Sequence, residues 1–154
     1  EGKKAVQTQS YGAETRGGAA RAEVVVSDDK IDYPKVISPD ITITMSQESF
    51  ERYGATTGPG RVLFVDADLV TSASGSAGGI IYRVPATKIA ADEFKKTLAA
   101  NMVMLGAVAA VTKVARLESL KMSVREVAPK ASREQNTRAL ERGFGWAEAN
   151  LKKP

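Results

Sequence analysis

The chain of 154 residues contains no cysteine and no histidine. Without cysteine it cannot form a disulfide or hold an iron–sulfur cluster through thiolates. Without histidine it lacks an imidazole base, a Ser-His-Asp triad and a common metal ligand. Hydrolytic or redox chemistry would therefore use carboxylates or lysines, or groups on another chain. The lack of cysteine also fits a reducing compartment, so we expect a cytoplasmic protein.

A long apolar run and a concentrated basic patch are also missing. The longest apolar run, residues 102–111, is far short of the roughly 20 residues that span a bilayer, and no signal peptide is visible. The net charge is +4, but the basic residues are spread along the chain without interleaved aromatics. We therefore expect neither a membrane nor a nucleic acid as partner.

The order of the predicted elements is typical of an α/β protein. Four consecutive apolar residues at 62–65 indicate a strand buried on both faces, as in a parallel sheet under helices. Length and pattern predict one domain, residues 1–154, with three α/β/α layers, a Rossmann-like, mostly parallel sheet and a helical C-terminal third. Strands are predicted at residues 5–9, 22–26, 40–45, 61–66 and 80–84.

Helix boundaries follow from candidate caps and breakers. Ser46 is predicted to cap a short helix that ends near Tyr53, and Thr87 to cap the next one. Residues 99–115 are apolar nearly all round and indicate a buried helix. A helix is predicted at about 118–128, and a capping-box pattern from Ser132 predicts a last helix to about 152. Two glycines in that last helix, Gly143 and Gly145, indicate close packing against a neighbour.

The connection between the first two predicted strands carries more chemistry than a turn needs. Residues 10–21 combine glycines with Glu14 and Arg16, and loops of this kind often bind or dock. The alternative is a surface Ω-loop closed by contact between Glu14 and Arg16. Arginine side chains and consecutive glycine N–H groups could together bind a phosphate or carboxylate. The candidate residues are Tyr11, Gly12, Glu14, Arg16, Gly17, Gly18 and Arg21.

Further candidates follow the predicted strands, because ligands of open α/β sheets bind beyond the carboxyl ends of the strands. Asp66 and Asp68 are two residues apart and could hold Mg²⁺, but we favour the interpretation that they cap a turn. Ser46 and Gln47 could join them at this edge, together with the loop at residues 11–18. For Asn101 we favour a helix-cap role over a ligand role. The glycine-rich stretch 75–79 precedes a strand, which excludes a phosphate-binding loop.

Four runs of this sequence resemble the gamma subunit of 2-oxoacid:ferredoxin oxidoreductases. The most specific is Tyr-Gly-Ala-Glu-x-Arg-Gly-Gly at residues 11–18, within the similar stretch 9–24. The others are Phe-Val-Asp-Ala-Asp-Leu-Val at 64–70, Val-Pro-Ala-Thr at 84–87 and Asn-Met-Val-Met-Leu-Gly-Ala at 101–107. The resemblance covers most of the chain, up to the last helix.

This resemblance implies an oxidoreductase subunit without a complete active site of its own. The holoenzyme converts a 2-oxoacid, coenzyme A (CoA) and oxidised ferredoxin into acyl-CoA, CO₂ and reduced ferredoxin. Thiamine diphosphate, Mg²⁺ and iron–sulfur clusters are implied on alpha, beta and delta-type partner subunits, with none bound by this chain alone. The Gly-Ala-Glu form of the loop favours 2-oxoglutarate over pyruvate as the substrate.

The resemblance also implies a docking role for the loop. Tyr11, Glu14, Arg16 and Arg21 would contact the catalytic subunits near the CoA entrance. The family opens with a strand, a glycine-rich turn and a helix, a segment that is missing from the sequence that begins at Glu1 and that we expect to belong to the native protein. The alternative function is a stand-alone regulatory α/β domain that binds a nucleotide or another anion.

Overall fold

The computed structural model describes residues 1–11, 20–54, 57–73, 78–95 and 97–151. The chain divides into two compact units, Glu1–Asp40 and Ile41–Pro154. The first unit contains a two-stranded sheet, and the second contains a three-stranded sheet with helices. Within the described residues, no helix is long and apolar enough to cross a membrane.

The first unit is built on an antiparallel ribbon of β1 (Lys4–Tyr11) and β2 (Ala20–Ser27). The pairing runs from Lys4 opposite Ser27 to Tyr11 opposite Ala20. Both strands were predicted, and both extend one or two residues beyond the predicted limits. The sequence between them is shorter than the dozen or so residues that a parallel crossover needs, so an antiparallel hairpin is the arrangement open to them.

The second unit contains a parallel sheet in the order β3-β4-β5, with β4 in the centre. Its strands are β3 (Ile41–Thr44), β4 (Val62–Asp66) and β5 (Ile80–Val84). Leu63 and Val65 pack with Phe50 and Val70 on one face, while Phe64 packs in the helical core on the other. The prediction of a strand buried on both faces is therefore confirmed, and so is the α/β fold class with its parallel sheet.

Helices surround this sheet and fill the C-terminal part of the described chain. Ser46 caps the first helix, as predicted: its Oγ accepts a hydrogen bond from the backbone N–H of Ser49 at 3.1 Å. The helices are α1 (Gln47–Ser49), which continues as a π-helical segment Phe50–Gly54, α2 (Ala86–Phe94), α3 (Ala100–Thr112), α4 (Leu117–Val127) and α5 (Arg133–Asn150). Short 3₁₀ turns at Thr97–Ala99 and Lys130–Ser132 precede α3 and α5.

Thr87 and Ser132 do not cap their helices as predicted. Helix α2 begins at Ala86, so Thr87 already lies inside its first turn. Ser132 precedes α5 but has φ −112° and ψ −6°, and its side chain makes no cap hydrogen bond. The cause is the 3₁₀ turn that runs directly into α5, because a capping side chain needs an extended backbone at the cap residue. The Ser132 hydroxyl instead donates to the Pro129 carbonyl at 3.1 Å.

Helices α3 and α5 touch through their main chains. A Cβ placed on Gly106 of α3 would lie 2.1 Å from the Leu140 carbonyl oxygen of α5. A Cβ placed on Gly143 of α5 would lie 1.9 Å from the Val103 carbonyl oxygen of α3. Close packing at Gly143 is therefore confirmed. The same prediction for Gly145 is wrong, because that residue is exposed and nothing lies within 4 Å of the position of its Cβ.

The substitution Gly143→Ala is expected to destabilise the fold by at least about 3 kcal/mol. Its methyl group would meet backbone atoms that cannot move without separating the two helices, which exceeds ordinary overpacking. Gly145→Ala is the matched control, because at an exposed helix position alanine is more favourable than glycine by about 1 kcal/mol and should slightly stabilise the fold. Chemical denaturation of both variants measures the difference. Equal stability of the two variants would contradict a main-chain contact at Gly143.

Candidate functional site

The carboxyl end of β4 is joined to the start of α2 by one buried side chain, Asp66. It is 0% exposed. Its Oδ2 accepts hydrogen bonds from the Thr87 N–H at 3.1 Å and from the Thr87 hydroxyl at 2.7 Å. Its Oδ1 accepts a bond from the Asp68 N–H at 3.0 Å. Both carboxyl oxygens are therefore used in fixing the strand, the following turn and the helix.

Asp68 supports the same helix from the surface. Its Oδ2 accepts a hydrogen bond from the Lys88 N–H at 2.9 Å, in the first turn of α2. Residues two apart share a face only while the strand continues. Strand β4 ends at Asp66, so Asp68 does not extend its face, as a Mg²⁺ site shared by the two carboxylates would require. Within residues 1–11, 20–54, 57–73, 78–95 and 97–151, no group of three or more Asp or Glu side chains could hold a metal ion. The geometry matches the turn-capping interpretation of this pair.

Gln47 ties the start of α1 to the segment that follows β4. Its Nε2 donates to the Ser72 carbonyl at 3.1 Å, and its Oε1 accepts from the Ser72 N–H at 3.2 Å. On the next strand, the Arg83 guanidinium donates to the carbonyls of Ala67 and Val70 at 3.3 and 2.8 Å. Sequence reasoning missed Arg83. These hydrogen bonds hold Gln47 and the segment from Ala67 to Ser72 at the same edge of the sheet. The bonds stabilise that segment by satisfying its backbone groups.

Asn101 lies elsewhere, in the first turn of α3. The helix begins at Ala100 with Ala99 at the cap position, so the predicted cap role of Asn101 is wrong. Its Oδ1 accepts a hydrogen bond from the adjacent Met102 N–H at 2.8 Å, and the residue is exposed. It therefore satisfies one backbone donor of the first helical turn from inside the helix.

The loop candidates belong to the hairpin of the first unit. Tyr11 ends β1 and Arg21 lies in β2. Gly12, Glu14, Arg16, Gly17 and Gly18 lie outside the described residues, so the assignments made for them stay predictions.

Arg21 is placed by an ion pair with Glu23 on the same face of β2. Glu23 also accepts hydrogen bonds from the Thr8 hydroxyl at 3.2 Å and the Val36 N–H at 3.5 Å. Burial by itself raises the pKa of the Glu23 carboxyl, but the Val36 N–H, Arg21 and Thr8 together hold the pKa below its ordinary value. Sequence reasoning missed Glu23, although two-residue spacing on a strand could have found it.

The opposite face of the ribbon is exposed and carries no charged side chain among its described positions. In an antiparallel pair, directly opposite residues share a face. The pairs Ala5–Val26, Gln7–Val24 and Gln9–Ala22 follow one another along this face, and Ala20 extends it. Val24 is 55% exposed and Val26 is 42% exposed. We call this surface the uncharged ribbon face; its residues are Ala5, Gln7, Gln9, Ala20, Ala22, Val24 and Val26.

Comparison with known proteins places these features in a family. The pyruvate ferredoxin/flavodoxin oxidoreductase family matches residues 1–146. The chain belongs to this oxidoreductase family. The 2-oxoglutarate synthase subunit KorC of Methanocaldococcus jannaschii is 43% identical over 94% of this chain and 78% of its own length. The KorC subunit of Methanothermobacter thermautotrophicus is 42% identical over 93% of this chain and 78% of its own length.

A solved structure agrees with these relatives. The gamma subunit of a keto/oxoacid ferredoxin oxidoreductase from Geobacter sulfurreducens superimposes with a TM-score of 0.79 and 36% identity. The match covers 96% of this chain and 82% of that chain. The prediction of a gamma subunit of a 2-oxoacid:ferredoxin oxidoreductase is therefore confirmed, as is its place in an enzyme of several subunits.

In this oxidoreductase subunit, Asp66→Asn is expected to cost about 1–3 kcal/mol of stability. An amide has one acceptor oxygen where the carboxyl group has two, so its NH₂ group would face the Asp68 N–H or the Thr87 donors. The exposed Asp68→Asn is the matched control and should cost under about 1 kcal/mol. Thermal unfolding measures both variants. A midpoint for Asp66→Asn equal to that of the control would show that the buried links do not support the fold.

Glu23 is expected to make the stability of the ribbon depend on pH. Because the folded-state pKa of Glu23 lies below the ordinary value of 4.5, its contribution is present above about pH 4.5 and is lost as the pH falls through the folded-state pKa. Glu23→Gln should therefore lower the melting temperature at pH 7, and this deficit should shrink as the pH falls from 4.5 through the folded-state pKa of Glu23. Asp32→Asn, at an exposed carboxyl, controls for net charge. A Glu23→Gln deficit that persists unchanged at low pH would refute this linkage.

Proposed function

We propose that the protein is the gamma subunit of a CoA-acylating 2-oxoglutarate:ferredoxin oxidoreductase. The reaction converts 2-oxoglutarate, CoA and oxidised ferredoxin into succinyl-CoA, CO₂ and reduced ferredoxin. The observation that carries the substrate assignment is the match over more than nine-tenths of the chain to two subunits of 2-oxoglutarate synthases. The Gly-Ala-Glu form of the loop at residues 12–14 supports the same substrate.

In this proposal the cofactors reside on the alpha, beta and delta-type subunits. The donor set of this chain supports that division, because a sequence without cysteine cannot bind an iron–sulfur cluster through thiolates. At the sheet edge, both carboxyl oxygens of Asp66 are already used by Thr87 and Asp68. Thiamine diphosphate and its Mg²⁺ are therefore assigned to partner subunits, and CoA is the substrate that this subunit helps to admit.

The proposed role of this chain is docking. Tyr11, Glu14, Arg16 and Arg21 contact the catalytic subunits beside the CoA entrance. The uncharged ribbon face supports this role, because it continues from the base of that loop and exposes about half of the surface of Val24 and Val26. An isolated two-stranded ribbon is marginally stable in water. Burial of this face against a partner would stabilise the ribbon and hold the loop in place.

Reconstitution of the complex from its purified subunits tests the proposal. Arg16→Ala is expected to weaken assembly or to raise the apparent Michaelis constant for CoA several-fold, since it removes a charged contact. Arg52→Ala, an exposed arginine of the π-helical segment, is the matched control. Succinyl-CoA formation and size-exclusion chromatography supply the two readouts. Unchanged assembly and an unchanged Michaelis constant for CoA would sink the docking role.

A second pair of variants in the same reconstitution addresses the ribbon. Val24→Lys places a charge on the uncharged ribbon face without disturbing a buried side chain, and should weaken assembly by about tenfold or more. Ile37→Lys, at an 85% exposed residue of the same unit, controls for the added charge. Equal assembly of the two variants would remove this face from the interface. A chain that stays alone with all partners present would favour the stand-alone regulatory domain.

A further inference from the structure

A basic cleft lies where the end of α4 meets the start of α5. It is an open cavity of about 320 Å³ lined by Arg125, Arg133, Glu134, Thr137 and Arg138. Three arginines against one glutamate leave this lining with two net positive charges. None of the sequence motifs pointed to it, because its residues come from two helices and from opposite sides of Pro129.

The three cleft arginines differ from other cations of the helical layer. Lys113, Lys121 and Arg142 each form an ion pair with a glutamate, at 3.7, 2.7 and 2.7 Å. Among the residues that the structure describes, Arg125, Arg133 and Arg138 form none. Glu134 is the one carboxylate in the lining for three guanidinium groups, so an anion bound in the cleft reduces the repulsion among them.

Two of the guanidinium groups are held in place by contacts that leave donors available. The Arg133 Nε donates to the Ala128 carbonyl at 2.8 Å, which leaves its two terminal nitrogens for another acceptor. The Arg138 guanidinium lies over the Phe94 ring, with 5.9 Å between its central carbon and the ring centroid, and a cation–π contact of this kind uses none of its N–H donors in a hydrogen bond. Side chains fixed in this way lose less rotamer freedom when a ligand binds.

A second cavity of about 400 Å³ adjoins the cleft. Glu134 and Arg138 line both cavities, and Glu93, Phe94, Ala131 and Gln135 line only the second. The first cavity is therefore cationic, and the second offers an aromatic ring and an amide beside the carboxylates of Glu93 and Glu134. Phosphate oxygens suit the first, since guanidinium groups bind them in bidentate fashion. A planar heterocycle suits the second.

We propose that this cleft binds a diphosphate group, either free or as part of a nucleoside diphosphate. The two net positive charges of the lining match a group with more than one negative charge better than a single carboxylate. Arg133 and Arg138 hold the phosphate oxygens, and Arg125 closes the cationic end. The site lies in the second unit and does not depend on the proposed docking of the hairpin.

Titration calorimetry of the full-length protein with inorganic pyrophosphate tests this site. Arg133→Gln combined with Arg138→Gln is expected to weaken pyrophosphate binding at least about tenfold, because it removes two charge-assisted contacts. Arg52→Gln removes one positive charge outside the cleft and should change binding less than about twofold. Raising the salt concentration should weaken binding to the unmodified protein. Circular dichroism melting confirms that each variant is folded.

Comparing pyrophosphate, ADP and inorganic phosphate as ligands distinguishes a free diphosphate from one that is part of a nucleotide. Tighter binding of ADP than of pyrophosphate shows that the nucleoside occupies the second cavity, and equal binding assigns the site to the diphosphate alone. Inorganic phosphate should bind more weakly than either. No binding of pyrophosphate or ADP at millimolar concentration overturns the proposal, as does equal loss in the Arg52→Gln control. The proposal is also overturned if the unmodified protein does not bind pyrophosphate while the double variant fails to assemble with the partner subunits. That result would assign the cleft to an acidic segment of a partner.

Discussion

The helical layer depends on the close approach of α3 and α5 at two glycines. Because Gly106 and Gly143 bring carbonyl groups of one helix against the backbone of the other, the interaxial distance is set by main-chain atoms. The almost uniformly apolar α3 can then be covered by α5 on one side and by β4 and β5 on the other. Ion pairs such as Glu93–Arg142 and Lys121–Glu141 add contacts at the surface of this layer, where each contributes little by itself.

The carboxyl edge of the sheet is also fixed by internal contacts. Asp66 ends the central strand in a fully buried position, and its two oxygens fix the first turn of α2 and the turn that follows β4. Gln47 and Arg83 then fix the chain as far as Ser72. The edge where many α/β proteins bind ligands is here used largely for internal links, which agrees with the proposal that the reaction centre lies on partner subunits.

Much of the fold could be predicted because the decisive signals are local. Four consecutive apolar residues defined β4, and apolar residues on all sides of the helix defined α3. The failures have two physical causes: the Ser132 cap failed through the local 3₁₀ turn that runs into α5, and others depended on a partner distant in sequence. Whether Thr87 caps a helix or bonds to Asp66 depends on a residue 21 positions away. Gly143 and Gly145 look alike in the sequence, and the orientation of α5 alone makes one buried and the other exposed.

In the candidate site, too, some roles could be predicted from local sequence and others could not. The turn-capping role of Asp66 and Asp68 could be predicted from their spacing, but the roles of Glu23 and Arg83 could not be assigned without their partners. The three cleft arginines come together only in the folded chain, where the end of α4 meets the start of α5. The residues of the loop from Gly12 to Gly18 were singled out by composition and resemblance, and their docking role is still a prediction.

The uncharged ribbon face bears on the timing and amount of synthesis of such a subunit relative to its partners. A surface with exposed valines and no charge has no electrostatic repulsion between two copies of itself. Newly synthesised chains that meet one another before they meet their partners would therefore associate through it. In the proposed complex, balanced synthesis of all the subunits would protect this surface, which gives a physical reason to produce them together and in matched amounts.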